Sequence, residues 1–199
     1  EELLADPVIM AVYIATPPES HYDYAMQAMK SGKAVLIEKP MAIRYQECVN
    51  MIAASEQYNV PIFVNFYRRS LPKIQFIKAA LEQGTIGKPL TVEIRHFRKP
   101  DPSDYNEPLP WRLRPEAGGK ALDTQVHVLD YLSYFFGPLV KMSGRALNNG
   151  GLYLVEDTTV ATLQFSEGVI GTAAWCYVAG YNLDEVTITG TTGKIVFSG

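Results

Sequence analysis

The stretch Ala34–Pro40 constrains the fold more than any other part of this chain. It opens with four apolar residues in a row, three of them good strand formers. Such an uninterrupted run is typical of a strand covered on both faces in a parallel α/β sheet. The run stops at Glu38-Lys39, and Pro40 cannot continue the strand ladder. Ligands bind beyond the carboxyl ends of strands in open α/β sheets, so we predict that Glu38 and Lys39 lie at a ligand site. The alternative is a strand that ends in solvated charges.

Residues 1–66 repeat this pattern. The apolar run Val8–Ala15 predicts a second buried parallel strand, and Val60–Phe66 predicts a third. Between them the pattern predicts one helix ending near Lys30 and another over residues 44–58. The resulting strand–helix–strand–helix–strand order predicts right-handed βαβ units. The inward residues are predicted to be Tyr22, Ala25, Met26 and Met29 in the first helix, and Val49, Ile52 and Ala53 in the second.

Residues 67–199 show a different pattern, and we predict a domain boundary at residues 66/67. A helix over residues 71–83 precedes Leu90–Phe97, which alternates polar and apolar residues as a two-faced strand does. A proline-rich loop and a helix from about Gly119 to Phe136 follow. Five strands are predicted after this helix, so the second part is an α+β domain with a mainly antiparallel open sheet. These strands are Val140–Ala146, Thr158–Phe165, Val169–Val178, Val186–Gly190 and Ile195–Phe197.

The helix near residue 127 carries the second group of candidate residues. Asp123 and His127 are four residues apart and therefore neighbours on one helix face. A carboxylate one turn from an imidazole holds its tautomer and raises its basicity, which suits a proton-transfer pair. The alternative is a surface pair worth a few tenths of a kcal/mol. The buried stripe of this helix is predicted to be Leu122, Val126, Leu129 and Phe136.

Composition excludes several classes of function. The net charge of −3 and the absence of a Lys/Arg cluster argue against nucleic-acid binding. No apolar run approaches the roughly 18 residues of a membrane span, and no signal peptide is recognisable. The two cysteines, Cys48 and Cys176, match no metal-ligand spacing, so we predict no metal site and expect a reducing cytoplasm.

Four motifs occur in order along the chain, and together they resemble those of the Gfo/Idh/MocA family of NAD(P)-dependent oxidoreductases. The family's TPxxxH turn corresponds to Thr16-Pro17 through His21, and its EKP strand end to Glu38-Lys39-Pro40. Its Trp-Arg pair corresponds to Trp111-Arg112. Its glycine-led helix corresponds to Gly118-Gly119 through Asp123, His127 and Asp130.

The resemblance implies a Rossmann-type domain followed by a substrate domain, NAD or NADP as cofactor, and a sugar or cyclitol as substrate. It implies that Lys39, Asp123 and His127 are catalytic, with His127 as the acid/base. The implied cofactor-binding residues are Thr16, Pro17, His21, Glu38, Lys39, Trp111 and Arg112. The implied substrate-binding residues are Lys39, Tyr67, Asp123 and His127.

The sequence departs from the family pattern in two places. It contains no G-x-G-x-x-G turn, so we expect residues 1–66 to be the C-terminal part of a longer nucleotide-binding domain. We accordingly expect the chain alone to bind NAD(P) poorly and to be inactive. Gln125 stands where the family usually has glycine, which bears on the shape of the substrate pocket.

Three other functions remain open at this stage. An NAD-dependent glycosidase of the same fold would keep the same lysine and histidine, a nucleotide-binding regulator would lack turnover, and a general α/β interaction module would use none of these residues. We also expect a homodimer or homotetramer that forms through the open sheet of the second domain, with Val160, Thr162 and Gln164 on one face of a strand.

Overall fold

The computed structural model describes residues 2–199. Contacts between Cα atoms divide the chain into two compact units. The first comprises the residues up to Phe66 together with Glu116–Gly118, and the second comprises Tyr67–Pro115 and Gly119–Gly199. The first unit contains the helices α1 (Glu2–Ala5), α2 (His21–Lys30) and α3 (Tyr45–Tyr58), and the strands β1 (Ala11–Ile14), β2 (Ala34–Glu38) and β3 (Ile62–Asn65).

The three strands of the first unit form a parallel sheet in the order β1-β2-β3. This arrangement confirms the predicted βαβ units. The prediction that the strands are covered on both faces is wrong for the described residues: Tyr13, Leu36 and Phe63 are 53%, 38% and 60% exposed. Residues of α2 and α3 pack in one core with Val35 and Ile37, so both helices cover the same sheet face.

The inward faces of the two helices differ from the prediction. In α2, Ala25 and Met29 are buried as expected, whereas Tyr22 and Met26 are only partly buried. In α3 the predicted residues Val49, Ile52 and Ala53 are exposed, and Met51 and Ala54 are buried instead. Helix α3 carries apolar residues on more than one face. Neighbouring residues differ by about 100° around the helix axis, so either face could be the inward one, and the packing against the rest of the unit determines which face is buried.

The second unit is built on a six-stranded sheet in the order β5-β6-β7-β4-β8-β9. Only β4 and β7 pair in parallel; the other neighbours are antiparallel, which confirms the predicted mainly antiparallel α+β architecture. Its strands are β4 (Pro89–Phe97), β5 (Leu139–Leu147), β6 (Thr158–Phe165), β7 (Ile170–Cys176), β8 (Leu183–Gly190) and β9 (Lys194–Phe197), and its helices are α4 (Pro72–Glu82) and α5 (Gly119–Phe136).

Helix α5 has the predicted bounds but buries a different stripe. Leu122, Val126 and Leu129 are only partly buried, so that part of the prediction is wrong. The buried hydrophobic residues are Val128, Tyr131, Leu132, Phe135 and, as predicted, Phe136. This helix is apolar around much of its circumference, and the large aromatic residues take the core face because they bury the most area.

An ion pair ties the 3₁₀ turn Tyr67–Ser70 to α5 within the second unit. Arg69 donates from Nε and Nη2 to the two carboxylate oxygens of Asp130, at 2.8 and 2.5 Å. The Asp130 side chain is only 6% exposed, so this carboxylate depends on the guanidinium for its hydrogen bonds. Separately, no helix within residues 2–199 is long and apolar enough to cross a membrane.

We predict that Arg69→Met lowers the free energy of unfolding by about 2 kcal/mol, because it leaves a buried carboxylate without its partner. Urea unfolding followed by the fluorescence of Trp175, which is 1% exposed in the same unit, measures the change. The matched control is Arg95→Met, whose ion pair with Glu185 is open to solvent, and it should cost clearly less than Arg69→Met because solvent screens the pair. Equal losses in the two variants would contradict the assignment.

Candidate functional site

Glu38 is the centre of a polar cluster at the carboxyl ends of the three parallel strands. Its carboxylate accepts hydrogen bonds from the Tyr13 hydroxyl on β1, from Asn65 Nδ2 on β3 at 2.7 Å, and from the Lys39 backbone N–H at 3.3 Å. Partial burial works to raise the pKa of Glu38, but these hydrogen bonds outweigh it and hold the pKa below its ordinary value. Glu38 is therefore a fixed, ionised acceptor at this edge.

His21 connects the two turns that follow β1 and β2. Its Nδ1 lies 2.9 Å from the Pro40 carbonyl oxygen and its Nε2 lies 2.8 Å from that of Thr16. Both ring nitrogens therefore lie within hydrogen-bonding distance of a backbone carbonyl oxygen, one in each turn. The ring is 1% exposed, and it acts here as a brace between the turns. That His21 also contacts a nucleotide remains a prediction.

The other predicted residues of the first unit lie along the same edge. Thr16 and Pro17 are exposed directly after β1, with the Ser20 hydroxyl bonded to Thr16 Oγ1 at 2.7 Å and to the Pro17 carbonyl at 2.9 Å. Lys39 is half-buried and precedes Pro40 through a cis peptide bond. The structure thus brings Thr16, Pro17, Glu38 and Lys39 to one edge of one sheet.

The predicted residues of the second unit lie around α5. The Tyr67 ring stands edge-on to the His127 ring, with centroids 5.3 Å apart. Arg112 Nε lies 3.7 Å from Asp123 Oδ2, and the Arg112 guanidinium stacks on the Trp111 ring with its Cζ 5.2 Å from the centroid. His127 is 4% exposed, whereas Asp123 keeps 18% of its side chain accessible.

Gln125 and Lys120 are two buried polar residues of α5, and hydrogen bonds hold both of them. Gln125 is buried and donates to Thr159 Oγ1 on β6 at 3.2 Å, so its side chain is anchored to the sheet. Lys120, which the sequence reading did not select, donates to Asp104 at 2.5 Å and to Asp101 at 3.0 Å. These bonds fix the start of the proline-rich loop to the first turn of α5.

Tyr13 and Asn65 were also missed by the sequence reading. Asn65 is the last residue of β3 and lies in register with Glu38 on β2. The rule that selected Glu38, a polar residue at the carboxyl end of a parallel strand, therefore selects Asn65 as well. Tyr13 carried no comparable signal, because it lies inside an apolar run. Within residues 2–199 there is no group of three or more His, Cys, Asp or Glu placed to hold a metal ion.

Two protein-family models match the chain, one on each side of the boundary between its two units. Residues 1–66 match the model described as "Oxidoreductase family, NAD-binding Rossmann fold". Residues 74–196 match the model described as "GFO/IDH/MocA C-terminal domain".

Individual proteins are similar to the chain over nearly its whole length. Oxidoreductase P35 of Formosa agariphila is 35% identical over 203 residues, which cover 100% of this chain and 62% of that protein. The 1,5-anhydro-D-fructose reductase of Ensifer adhaerens is 29% identical, covering 98% and 59%. The crystal structure of the WlbA dehydrogenase from Bordetella pertussis in complex with NADH and UDP-GlcNAcA superposes with a TM-score of 0.87 at 28% identity, covering 100% and 58%. The chain thus spans about three fifths of the length of these relatives.

We predict that Glu38→Gln destabilises the protein near pH 7 and that this difference disappears in acid. The folded-state pKa of Glu38 is lowered, so its stabilisation is present above the unfolded-state pKa and is lost as the pH falls through the folded-state value. We expect a loss of about 1 kcal/mol at pH 7 that begins to shrink as the pH falls below the ordinary glutamate pKa of about 4.3 and disappears once the pH is below the lowered folded-state pKa.

Urea unfolding of wild type and variant at pH 7, 5 and 3 measures this dependence. Glu19→Gln, at an exposed position in the same unit, is the control and should leave the pH dependence unchanged. A difference that stays constant from pH 7 to pH 3 would refute the role of the ionised carboxylate.

Proposed function

Because the chain belongs to the Gfo/Idh/MocA family of NAD-binding oxidoreductases, we propose that its protein transfers a hydride between a secondary alcohol and NAD or NADP. The substrate is a sugar or a cyclitol. In this proposal residues 1–66 contribute to the nucleotide-binding domain and residues 67–199 bind the substrate. A cytoplasmic location is proposed with it, on the basis of the two free cysteines, Cys48 and Cys176.

The observation that carries the proposal is the organisation of Asp123 and His127 on α5. The two residues lie one helical turn apart, and neighbouring side chains restrict both of them. Tyr67 packs edge-on against the imidazole, and Arg112 lies beside the carboxylate. A carboxylate that orients an imidazole is the arrangement that general acid–base catalysis requires.

The residues of the first unit fit the ribose and nicotinamide part of a dinucleotide. Glu38 is an ionised acceptor at the carboxyl edge of the sheet, and Asn65 beside it has a side-chain amide. Thr16 and Pro17 leave an exposed surface at the end of the adjacent strand. We propose that these residues, with Lys39, Trp111 and Arg112, hold the nucleotide, and that His21 maintains the two turns. When bound, the nicotinamide supplies the hydride acceptor or donor.

In the direction of alcohol oxidation, the protein must remove a proton from the hydroxyl as the hydride leaves carbon. We assign the proton to His127, because a neutral imidazole accepts a proton near pH 7. Asp123, one helical turn away, stabilises the imidazolium that forms. Lys39 stabilises negative charge on the alcohol oxygen, in the manner of an oxyanion donor. Tyr67 closes one side of the sugar site against His127.

We predict that Lys39→Met and His127→Asn each lower kcat/KM for alcohol oxidation by about 100-fold or more in the full-length enzyme, because each removes a proton-transfer or charge-stabilising group. Absorbance of the reduced nicotinamide measures turnover across a panel of sugars and cyclitols. Lys30→Met, at an exposed position at the end of α2, is the control and should retain wild-type activity.

Activity of either catalytic variant within a few-fold of wild type would remove that residue from the mechanism. Release of free sugar from an aryl glycoside, without net formation of reduced nicotinamide, would instead favour an NAD-dependent glycosidase.

We further propose that the sheet of the second unit pairs with a second copy of the chain. The residues Ala161, Leu163 and Phe165 of β6 are buried, whereas Val160 is 57% exposed on the opposite face. On the neighbouring strand Ile170 is 55% exposed. An exposed apolar face on a broad sheet commonly forms a homodimer interface, because helices already cover the other face.

We predict that Val160→Asp shifts the full-length protein from dimer or tetramer towards smaller species, because it buries an unpaired charge in the interface. Sedimentation velocity over a concentration series measures the distribution. Phe76→Asp, at a position 74% exposed on α4, is the control and should leave the oligomeric state unchanged. A wild-type protein that is monomeric at all concentrations would overturn the proposal.

A further inference from the structure

The second unit contains a cavity of about 250 Å³ at the carboxyl ends of the parallel strands β4 and β7. This is the only parallel pair among the described strands of that sheet. The Arg98 backbone joins the two strand ends, since its N–H donates to the Cys176 carbonyl and its carbonyl accepts from the Ala179 N–H. Arg68, His96, Arg98, Lys120, Trp175 and Tyr177 are among the lining residues.

Ionic contacts satisfy most of the charged groups in this cavity. Lys120 is held by Asp101 and Asp104 at 3.0 and 2.5 Å. Asp184 lies 3.3 Å from His96 Nδ1 and accepts a hydrogen bond from the Gly199 backbone N–H.

Arg68 and Arg98 differ from the other charged residues of the lining. Within residues 2–199, neither guanidinium lies within ion-pair distance of a carboxylate. The two guanidinium groups are therefore the cationic groups of the lining that form no ion pair with a carboxylate in the described part of the chain. Guanidinium groups bind carboxylate and phosphate oxygens through paired, parallel hydrogen bonds.

The remaining walls suit a sugar ring. Trp175 is 1% exposed and Tyr177 is 2% exposed, so the cavity has two rigid aromatic walls. The hydroxyls of Tyr177 and Thr124 are hydrogen-bonded to each other. Burial, partly opposed by hydrogen bonds, raises the pKa of Tyr177 to about 12, which keeps the phenol neutral. Apolar walls with a few convergent polar groups are typical of small-molecule sites.

The cavity adjoins the proposed acid–base pair through two shared elements. On α5, Thr124 and Val128 line the cavity and are the immediate neighbours of Asp123 and His127 in sequence. In the 3₁₀ turn Tyr67–Ser70, Tyr67 packs against the His127 ring while the next residue, Arg68, lines the cavity. A substrate whose alcohol reaches His127 thus has an adjacent pocket for a substituent.

We propose that this cavity binds an anionic substituent of the substrate, a carboxylate or a phosphate, through Arg68 and Arg98. The substrate is accordingly an acidic sugar or cyclitol derivative and not a neutral polyol. This inference rests on the function proposed above, whose site it deepens. Arg68 and Arg98 determine specificity and take no part in the proton transfer.

The test compares matched substrates and matched variants in the full-length enzyme. Glucose, glucuronate and glucose 6-phosphate, with the galactose and inositol counterparts, separate the neutral, carboxylate and phosphate forms of one ring. Arg98→Gln and Arg68→Gln each remove one guanidinium, and we expect each to raise KM for the preferred anionic substrate by roughly 30-fold or more, with a smaller change in kcat. Arg44→Gln, at an exposed position in the first unit, is the control and should leave KM unchanged.

Each outcome decides between the alternatives. Preference for the carboxylate or the phosphate series, abolished in the arginine variants alone, supports the proposal and identifies the anion. Equal use of neutral and anionic sugars, or arginine variants with unchanged KM, overturns it while the oxidoreductase function stands.

Failure of every sugar to reduce nicotinamide would count against the proposed function, and calorimetry would then decide on the cavity. Glucuronate or glucose 6-phosphate that binds wild type and Arg44→Gln but neither of the other variants would support the anion site. Absence of binding to wild type would overturn it.

Discussion

The second unit depends on the packing of α5 across its sheet. Tyr131, Leu132, Phe135 and Phe136 are almost fully buried against strand residues such as Phe165. This contact fixes the rotation of the helix about its axis, and the rotation decides where every polar residue on α5 points. The apolar half of the helix thereby positions Lys120, which contacts the loop, and Thr124, which contacts Tyr177. Hydrophobic burial supplies the rigidity, and the polar groups supply the chemistry.

A different constraint organises the first unit. Parallel pairing places Glu38 beside Asn65 in register, and Tyr13 reaches the same carboxylate from the strand on the other side. The cluster therefore depends on all three strands ending at one edge. His21 fixes the two turns that follow β1 and β2, because its ring contacts the carbonyl oxygen of Thr16 in one turn and that of Pro40 in the other. These contacts also fix the backbone at Thr16 and Lys39, and therefore the place of their side chains at this edge.

The sequence predicted element order and type far better than it predicted which residues face inward. The bounds of α5 and β6 agree with the pattern because capping glycines and alternation mark them locally. The inward faces of α3 and α5 were wrong because both helices carry apolar residues on more than one side. Their burial depends on neighbours distant in the chain, which no local window contains. The prediction that both faces of β2 are covered was wrong for the same reason, because an apolar run does not specify which elements pack on it.

The candidate site was predictable where a motif carries its own chemistry. Ionisable residues that end a strand or recur at helical spacing can be recognised from the sequence alone. This is why the sequence pointed to Glu38, Lys39, Asp123 and His127. Tyr13 was missed because its partner is 25 residues away. Arg68 and Arg98 were missed because their significance lies in the ion pairs that the other cavity residues form, and those pairs exist only in the folded chain.

The bonds from Lys120 to Asp101 and Asp104 have an evolutionary consequence. They attach the start of the proline-rich loop to the first turn of α5, so both ends of the intervening segment are fixed independently of its own sequence. That segment, residues 105–118, includes Trp111 and Arg112. Leu113 within the segment is fully buried against Tyr153 and Val155, so exchanges at the exposed positions on either side of Leu113 leave both the anchors and this contact intact. Proteins that carry this lysine can therefore change the exposed side chains of this short segment during evolution, while the start of the loop and the first turn of α5 stay in place.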